Sequence, residues 1–279
     1  MIITILFFAS TKPVCGQEPE TNSIVKPNVA VTPNQIRVVF IKGTISRKLL
    51  ETIRQRFGAN PNIENAGSAN LYEPPNPEPF PAGLIVLLDS KGGDGMAAME
   101  IGRILRRAQA HVFVTGECSS ACVFILASGV MRGAPTFSVG IHQGRITLSS
   151  DAGVIKKEVD IKEDPKAKAL LAKFEVMAKA YFAEMGIPNE FFQAMQDHST
   201  RGVYRLTSQE ITLYGLNGFD EDYLTQRVNF YQSRKGRWTQ LDKDELYRRT
   251  SKVASECAPF DSKQQEFVNC YKKVLLDMY

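Results

Sequence analysis

Three short segments of the chain carry residues whose types and order indicate covalent catalysis. Ser120 lies within Cys118-Ser-Ser-Ala-Cys122, His142 follows an apolar run, and Gly92-Gly93 precedes a helical pattern. Nucleophilic acyl transfer needs a hydroxyl, a base that removes its proton, and N–H groups that bind the developing oxyanion. The order of these segments therefore predicts the parts of a serine hydrolase.

Each segment also has an ordinary structural explanation when it is taken alone. A Gly-Gly pair suits a strand-to-helix turn, a serine often caps a helix, and a histidine after a strand is often a core residue. The combination favours catalysis. Gly92-Gly93 permits positive φ, and a helix that begins just after Ser120 directs its positive dipole end at an oxyanion. His111 and His198 are assigned structural or solvent-facing positions.

Strands and helices alternate around these segments. The predicted strands cover residues 84–89, 111–115 and 136–141, and the last of them leads to His142. The predicted helices cover residues 95–108 and 121–128, and the second helix ends at Gly129. This alternation predicts an α/β fold with a mostly parallel sheet, whose chemistry gathers at the carboxyl ends of the strands.

The whole chain is expected to contain one sizeable domain and an appendage. Its 279 residues are 43% hydrophobic, and the formal net charge of +4 is dispersed, which disfavours a dedicated nucleic-acid surface. The domain starts with a strand at 36–45 and a helix at 46–57, followed by a loop at 58–81. The predicted regions are a signal peptide at 1–16, an extended leader at 17–35, an α/β catalytic domain at 36–219 and a helical extension at 220–279.

Four motifs carry a resemblance to a known family. They are Asp89-Ser-Lys-Gly-Gly93, Gly116-Glu-Cys-Ser-Ser-Ala-Cys122, Ala127-Ser-Gly129 and Ile141-His-Gln143. Together they resemble the proteolytic subunit of the Clp protease and its exported relatives in the Clp/crotonase superfamily, which carry a Cys-x-Ser-Ala-Cys turn. The resemblance is weaker at 204–210 and 213–216, and it covers residues 36–219. It implies repeated β-β-α units, a peptide or protein substrate, and contacts between subunits of a homo-oligomer.

The resemblance also implies the roles of individual residues. It places the nucleophile on Ser120, the general base on His142, and the oxyanion hole on the backbone N–H groups of Gly93 and Ala121. The family's aspartate falls near Ser199, so Asp197 is the candidate that orients His142. A Ser–His dyad or a degenerate site is the alternative. Glu210 is a poorer candidate, because Thr207-Ser-Gln-Glu210 has the pattern of a capping box.

The cysteines indicate an oxidising compartment. Of five cysteines, Cys15 leaves with a signal peptide, and the others form two local pairs, Cys118 with Cys122 and Cys257 with Cys270. A regular helix holds side chains four residues apart too far from each other for a disulfide, so the first pair requires an irregular turn. Two buried thiols are the alternative there. Zinc spacing is lacking, and neither a metal nor another cofactor is expected.

The first residues have features of an export signal. Residues 2–9 form an apolar run that is shorter than the ~20 residues needed to span a bilayer, and Val14-Cys15-Gly16 offers small residues for cleavage. A buried N-terminal strand and acylation of Cys15 are the alternatives. The mature protein is therefore expected in the periplasm or outside the cell, without a transmembrane segment.

Three functions from different classes remain. The leading one is an exported serine peptidase or hydrolase. The second is a crotonase-like enzyme that acts on acyl thioesters, and the third is a noncatalytic fold that binds peptides or envelope partners. The sequence contains neither a P-loop nor the G-x-S-x-G motif of α/β-hydrolases. Residues 145–168 form either a lid over the site or a solvated excursion, and the tail either docks a partner or covers the sheet.

Overall fold

A mostly parallel β-sheet forms the centre of the fold in the computed structural model of the chain. The structure describes residues 4–7, 36–58, 83–150, 155–159, 163–198, 202–225 and 243–276. The three central strands are β2 (Arg37–Lys42), β3 (Leu84–Ser90) and β5 (His111–Ser119), which are parallel in the order β2-β3-β5. The predicted α/β class with a mostly parallel sheet is confirmed.

The sheet divides beyond β5. Strand β6 (Met131–Gly133) pairs with the first residues of β5, and β7 (Val139–Ile141) pairs with its last residues, both in parallel. Two short antiparallel strands complete the sheet, β10 (Tyr204–Arg205) on β7 and β11 (Gly218–Phe219) on β6. The predicted strand at 136–141 is thus limited to β7, and β6 was not predicted.

Strand β5 is longer than the strand predicted at 111–115. The prediction was wrong about its end, because the strand continues to Ser119. The pairing with β3 shifts register between Leu88 and Ser90, and Asp89 accepts the N–H of Glu117 at 3.1 Å within this irregular stretch. Gly116 is required here because a Cβ atom at this position would lie 2.2 Å from Asp89 Oδ1. The Asp89 carboxylate therefore takes the place of a backbone acceptor from the neighbouring strand, and β5 continues to Ser119.

Helices cover one face of the sheet. They are α1 (Arg47–Ile53), which continues as a π-helical turn at Arg54–Gly58, α2 (Gly95–Arg107), α3 (Cys122–Ser128), α4 (Pro165–Glu184), α5 (Asn189–Asp197) and α6 (Ser208–Leu213). Helix α6 begins with the predicted capping box of Thr207 and Glu210. Helix α4 is tied to α3 by the Tyr181 hydroxyl, which donates to the Phe124 carbonyl at 2.8 Å. This face contains the larger part of the core.

The C-terminal residues cover the other face. Helices α7 (Lys243–Glu256) and α8 (Gln264–Leu276) are joined by a short 3₁₀ turn at Ala258–Phe260 and by the predicted disulfide Cys257–Cys270. Phe267 and Tyr271 pack against Phe113 of β5, and the Tyr271 hydroxyl lies 2.8 Å from Nδ1 of His111. The tail therefore completes the core, and His111 is structural, as expected.

A second, smaller sheet lies beside the main one. It has the order β4-β1-β8-β9, with β1 (Thr4–Phe7), β4 (Gly93–Asp94), β8 (Arg145–Ser149) and β9 (Ile155–Glu158). Strands β8 and β9 form an antiparallel hairpin, so part of the segment at 145–168 has a regular structure. The whole leader at 17–35 and residues 59–81 of the predicted loop lie outside the described residues. Among the described helices, none has the length and apolar character that crossing a bilayer requires.

We expect the Cys257–Cys270 disulfide to stabilise the whole fold, because α7 and α8 supply the second half of the core. The double variant Cys257→Ala and Cys270→Ala should lower the free energy of unfolding by about 3 kcal/mol, from loop-closure entropy. Urea denaturation followed by circular dichroism measures this change, with mass spectrometry confirming that Cys118–Cys122 remains intact. A difference below about 1 kcal/mol would show that the hairpin forms without its covalent link.

Candidate active site

Ser120 occupies a sharp turn between a strand and a helix. Strand β5 ends at Ser119, α3 begins at Cys122, and Ser120 between them has a φ of 60°. A non-glycine residue in this left-handed region is strained, and such turns present a nucleophile in hydrolases. The side chain is 1% exposed, and within the described residues its hydroxyl has no hydrogen-bond partner.

The neighbouring serine has a different role. The Ser119 hydroxyl donates to Glu117 Oε1 at 2.7 Å and accepts from Arg205 Nη1 at 3.0 Å. Arg205 also donates to Glu117 at 2.5 Å, so the three side chains tie the end of β5 to β10. Because the Ser119 hydroxyl is committed to this network, Ser120 is the serine suited to chemistry.

A disulfide spans the turn at Ser120. Cys118 and Cys122 are bonded, and their Cα atoms are 5.2 Å apart. The prediction that an irregular strand-to-helix turn permits this bond is confirmed, and the alternative of two buried thiols is not observed. The bond connects the end of β5 to the first residue of α3, and it therefore stiffens the backbone on both sides of the strained serine.

The Gly92-Gly93 turn lies at the end of the adjacent strand, β3. Gly92 and Gly93 have φ values of 105° and 149°, which favour glycine. A Cβ atom at Gly93 would lie 2.1 Å from the Ile45 carbonyl oxygen, so the close approach of two backbones also excludes a side chain. Asp94 then caps α2 by accepting the N–H groups of Met96 and Ala97 at 2.9 and 3.1 Å.

His142 lies at the same edge of the sheet as Ser120. Strand β7 ends one residue before it, Gly140 of β7 is opposite Ser119, and the Ser120 N–H donates to the Gly140 carbonyl at 2.9 Å. The imidazole is fully buried, and its Nδ1 lies 2.6 Å from the Gln143 carbonyl. A carbonyl can only accept, so the proton is on Nδ1, and Nε2 carries the lone pair that a general base needs.

Burial also keeps the His142 imidazole uncharged at neutral pH. It lowers the pKa of His142 from 6.5 to about 4, the hydrogen bond to Gln143 opposes this shift, and the positive charge of Arg145 adds to it. The neutral form that accepts a proton therefore predominates at neutral pH.

Asp197 is near this site by sequence but faces solvent. It is the last residue of α5, and its side chain is exposed. Backbone carbonyl groups at the end of α5 instead accept two hydrogen bonds from Gln143, the residue after His142. The backbone N–H of Gln143 donates to the His198 carbonyl at 2.9 Å, and the Gln143 side chain donates to the Gln196 carbonyl at 2.5 Å.

Strand β1 lies between two elements of the candidate site. It pairs antiparallel with β4, where Phe7 is opposite Gly93, and with β8, where Leu6 is opposite Arg145. Since neighbouring strands are ~4.8 Å apart, β4 and β8 are separated by the width of one extended chain. An N-terminal strand was the alternative interpretation of this segment, and the rest of residues 1–16 lies outside the described residues.

Arg145, which no sequence motif marks, begins β8 three residues after His142. Its guanidinium is buried, and Nη1 donates to Glu158 at 3.3 Å. The alternation of Arg145, Ile146 and Thr147 indicates a strand, but it does not show which face is inward. No group of three or more His, Cys, Asp or Glu side chains in the described ranges is placed to hold a metal ion.

Comparisons with known proteins do not assign a family. No protein-family model and no curated protein matches the chain. The resemblance to the Clp/crotonase superfamily therefore stays a prediction from the motifs.

The low pKa of His142 makes stability depend on pH. Between pH 6.5 and about pH 4 the unfolded chain binds a proton at His142 that the folded protein excludes. The contribution of the neutral imidazole to the free energy of unfolding is therefore complete above pH 6.5 and is lost as the pH falls. We expect the free energy of unfolding to fall by about 2–3 kcal/mol between about pH 7.5 and pH 4.5 from this residue alone.

Urea denaturation of the wild type and of His142→Gln at several pH values isolates this contribution. The difference in stability between the two proteins should change across the acid window and stay constant above it. A constant difference over the whole range would show that the imidazole is as accessible to protons in the folded protein as in the unfolded chain.

Proposed function

We propose that this chain is an exported serine peptidase of the Clp-like type, in which Ser120 is the nucleophile and His142 the general base. One observation carries the proposal: Ser120 is strained at a strand-to-helix turn, and its buried hydroxyl has no hydrogen-bond partner in the described residues, Nε2 of His142 included. The neutral His142 at the same sheet edge supports it. The two disulfides support export, because such bonds persist in oxidising compartments.

The reaction follows from the roles of these groups. When the Ser120 hydroxyl and Nε2 of His142 come into hydrogen-bond contact, Nε2 takes the hydroxyl proton and Oγ forms a bond to the substrate carbonyl carbon. The N–H groups of Gly93 and Ala121 bind the resulting oxyanion. The protonated imidazole gives its proton to the leaving amine as the C–N bond breaks. Water, deprotonated by His142, then releases the acyl group from Ser120.

The smaller sheet favours a peptide over an acyl thioester. Strand β1 lies between β4 and β8 as an extended chain that pairs with both, and β4 contains Gly93. A peptide substrate that takes the place of β1, once the predicted signal peptide is removed, would make the same main-chain hydrogen bonds, whereas an acyl thioester has no continuous backbone to pair.

A noncatalytic binding protein is the second candidate. One observation favours it: Ser120 and His142 are 1% and 0% exposed, which denies both side chains to a substrate in this conformation. A peptide would then bind at the strand edges without being cleaved.

Labelling with a fluorophosphonate probe distinguishes these functions. We expect intact mass spectrometry of the oxidised protein to show one adduct that maps to Ser120. Ser120→Ala should abolish the adduct, and His142→Gln should slow its formation by about 100-fold or more, because the base is lost. Ser138→Ala, which removes a hydroxyl bonded to the Pro135 carbonyl, is the matched control and should label at the wild-type rate. A folded, oxidised protein that does not label supports the binding protein.

The same assay tests the role of Asp197. Its side chain is exposed and Gln143 already holds Nδ1, so Asp197→Asn should change the labelling rate by less than about threefold. A triad carboxylate that fixes the imidazole contributes roughly 10,000-fold when it is replaced by the amide. A loss approaching that size would restore Asp197 as the third member of the triad.

A further inference from the structure

Arg145 is a buried cation whose hydrogen-bonding capacity is only partly used. The residue is 7% exposed, and its contact with Glu158 uses Nη1 alone. Its Nε and Nη2 atoms are buried and have no hydrogen-bond partner in the part of the chain that the structure describes. Glu158 itself is about half exposed, with 53% of its side chain accessible, so it is a weak counterion for a buried charge.

The two remaining donors lie on one edge of the guanidinium. Nε–H and Nη2–H are nearly parallel, and this geometry matches the two oxygens of a carboxylate, which accept them as a bidentate pair. Buried cations in proteins are normally paired, because removal from water is unfavourable without a partner. The arrangement at Arg145 is therefore that of a recognition group for an anion.

Thr147 supplies a second observation on the same strand. It lies two residues beyond Arg145 and therefore on the same face of β8, and it is 1% exposed. Its hydroxyl also lacks a hydrogen-bond partner among the described residues. Two neighbouring polar side chains with unused donors on one buried face indicate that this face binds a polar group.

The position of Arg145 connects this face to the candidate active site. Arg145 lies three residues after His142, and its positive charge adds to the effect of burial in lowering the pKa of that imidazole. Along β1, the residue opposite Arg145 directly precedes the residue opposite Gly93. An extended peptide in the register of β1 would therefore place one residue at Arg145 next to the residue at the oxyanion turn.

We propose that Arg145 binds a carboxylate of the peptide substrate next to the reacting bond, through Nε and Nη2, with the Thr147 hydroxyl beside it. This inference rests on the proposed function. An acidic side chain and a free peptide C-terminus present the same planar carboxylate. Both sources fit the chemistry, and they differ in whether the chain continues past Arg145.

Binding to short peptides tests the proposal without requiring turnover. The protein is the oxidised chain with Ser120→Ala after removal of the predicted signal peptide at 1–16, because β1 would otherwise occupy the strand edges. Isothermal titration calorimetry gives the affinities. The first set of probes is acetylated, amidated alanine peptides with one Glu at each position in turn, and the second set replaces Glu by Gln. The third set contains the Gln peptides with a free C-terminus. Tighter binding of a Glu peptide than of its Gln counterpart shows that Arg145 binds an acidic side chain. Tighter binding of a Gln peptide with a free C-terminus than of the amidated one shows that Arg145 binds the end of the chain.

We expect one carboxylate peptide to bind at least about tenfold more tightly than its neutral counterpart, as a buried charge-assisted pair provides. Arg145→Met should abolish this preference. Arg145→Lys should retain only part of it, because an ammonium lacks the two parallel N–H donors of a guanidinium. Arg54→Met, which removes an exposed arginine paired with Glu51, is the control and should keep the preference. Equal affinity for all peptides, including no binding to any of them, overturns the proposal.

Two further readouts separate this inference from its alternatives. Arg145→Met should raise Tm in the absence of peptide, since it removes an incompletely paired buried charge, whereas a purely structural arginine would lower Tm on removal. Labelling of Ser120 in the otherwise wild-type chain reports the proposed function independently. Labelling without carboxylate preference overturns the role of Arg145 alone, and carboxylate preference without labelling overturns the peptidase alone.

Discussion

The left-handed turn at Ser120 is the constraint on which the rest of the site depends. A serine with a φ of 60° remains in place only when its surroundings hold it there. The Cys118–Cys122 disulfide joins the residues on either side, and the Ser120 N–H is bonded to Gly140 of β7. That second contact also aligns β7, whose next residues lead to His142. The conformation of the serine and the position of the histidine are therefore set by the same strand pairing.

Burial gives the site its electrostatic character. His142 is inaccessible to solvent, and its ring is oriented by the carbonyl of the next residue, so the tautomer is held without a carboxylate. A backbone carbonyl carries no full charge and stabilises an imidazolium less than an aspartate does. The arrangement therefore favours a weak, neutral base over one that readily accumulates positive charge. This would be the physical difference between the proposed dyad, oriented by the backbone, and a full triad.

The features that the sequence predicted are those determined by neighbouring residues. The apolar run of β3, the capping box at Thr207, the hairpin joined by Cys257–Cys270 and the disulfide across the serine turn are all local in sequence. The features it missed depend on distant partners. Strand β5 continues past Gly116 only because Asp89 accepts the Glu117 N–H, and the inward face of Arg145 follows from the pairing of β8 with β1. A single sequence does not contain such register information.

Arg145 and His142 are coupled by the low-dielectric environment that they share. A buried, incompletely paired guanidinium is unfavourable for stability, and its charge also makes protonation of the neighbouring imidazole less favourable. A substrate carboxylate bound to Arg145 would offset the loss of stability from the buried charge. It would also remove most of the effect of Arg145 on the protonation of His142, because the ion pair has no net charge. The pKa of His142 would then rise towards its usual value, and the imidazole would become a stronger base when substrate is bound. Recognition of a carboxylate and activation of the serine would thus be linked through one electrostatic interaction.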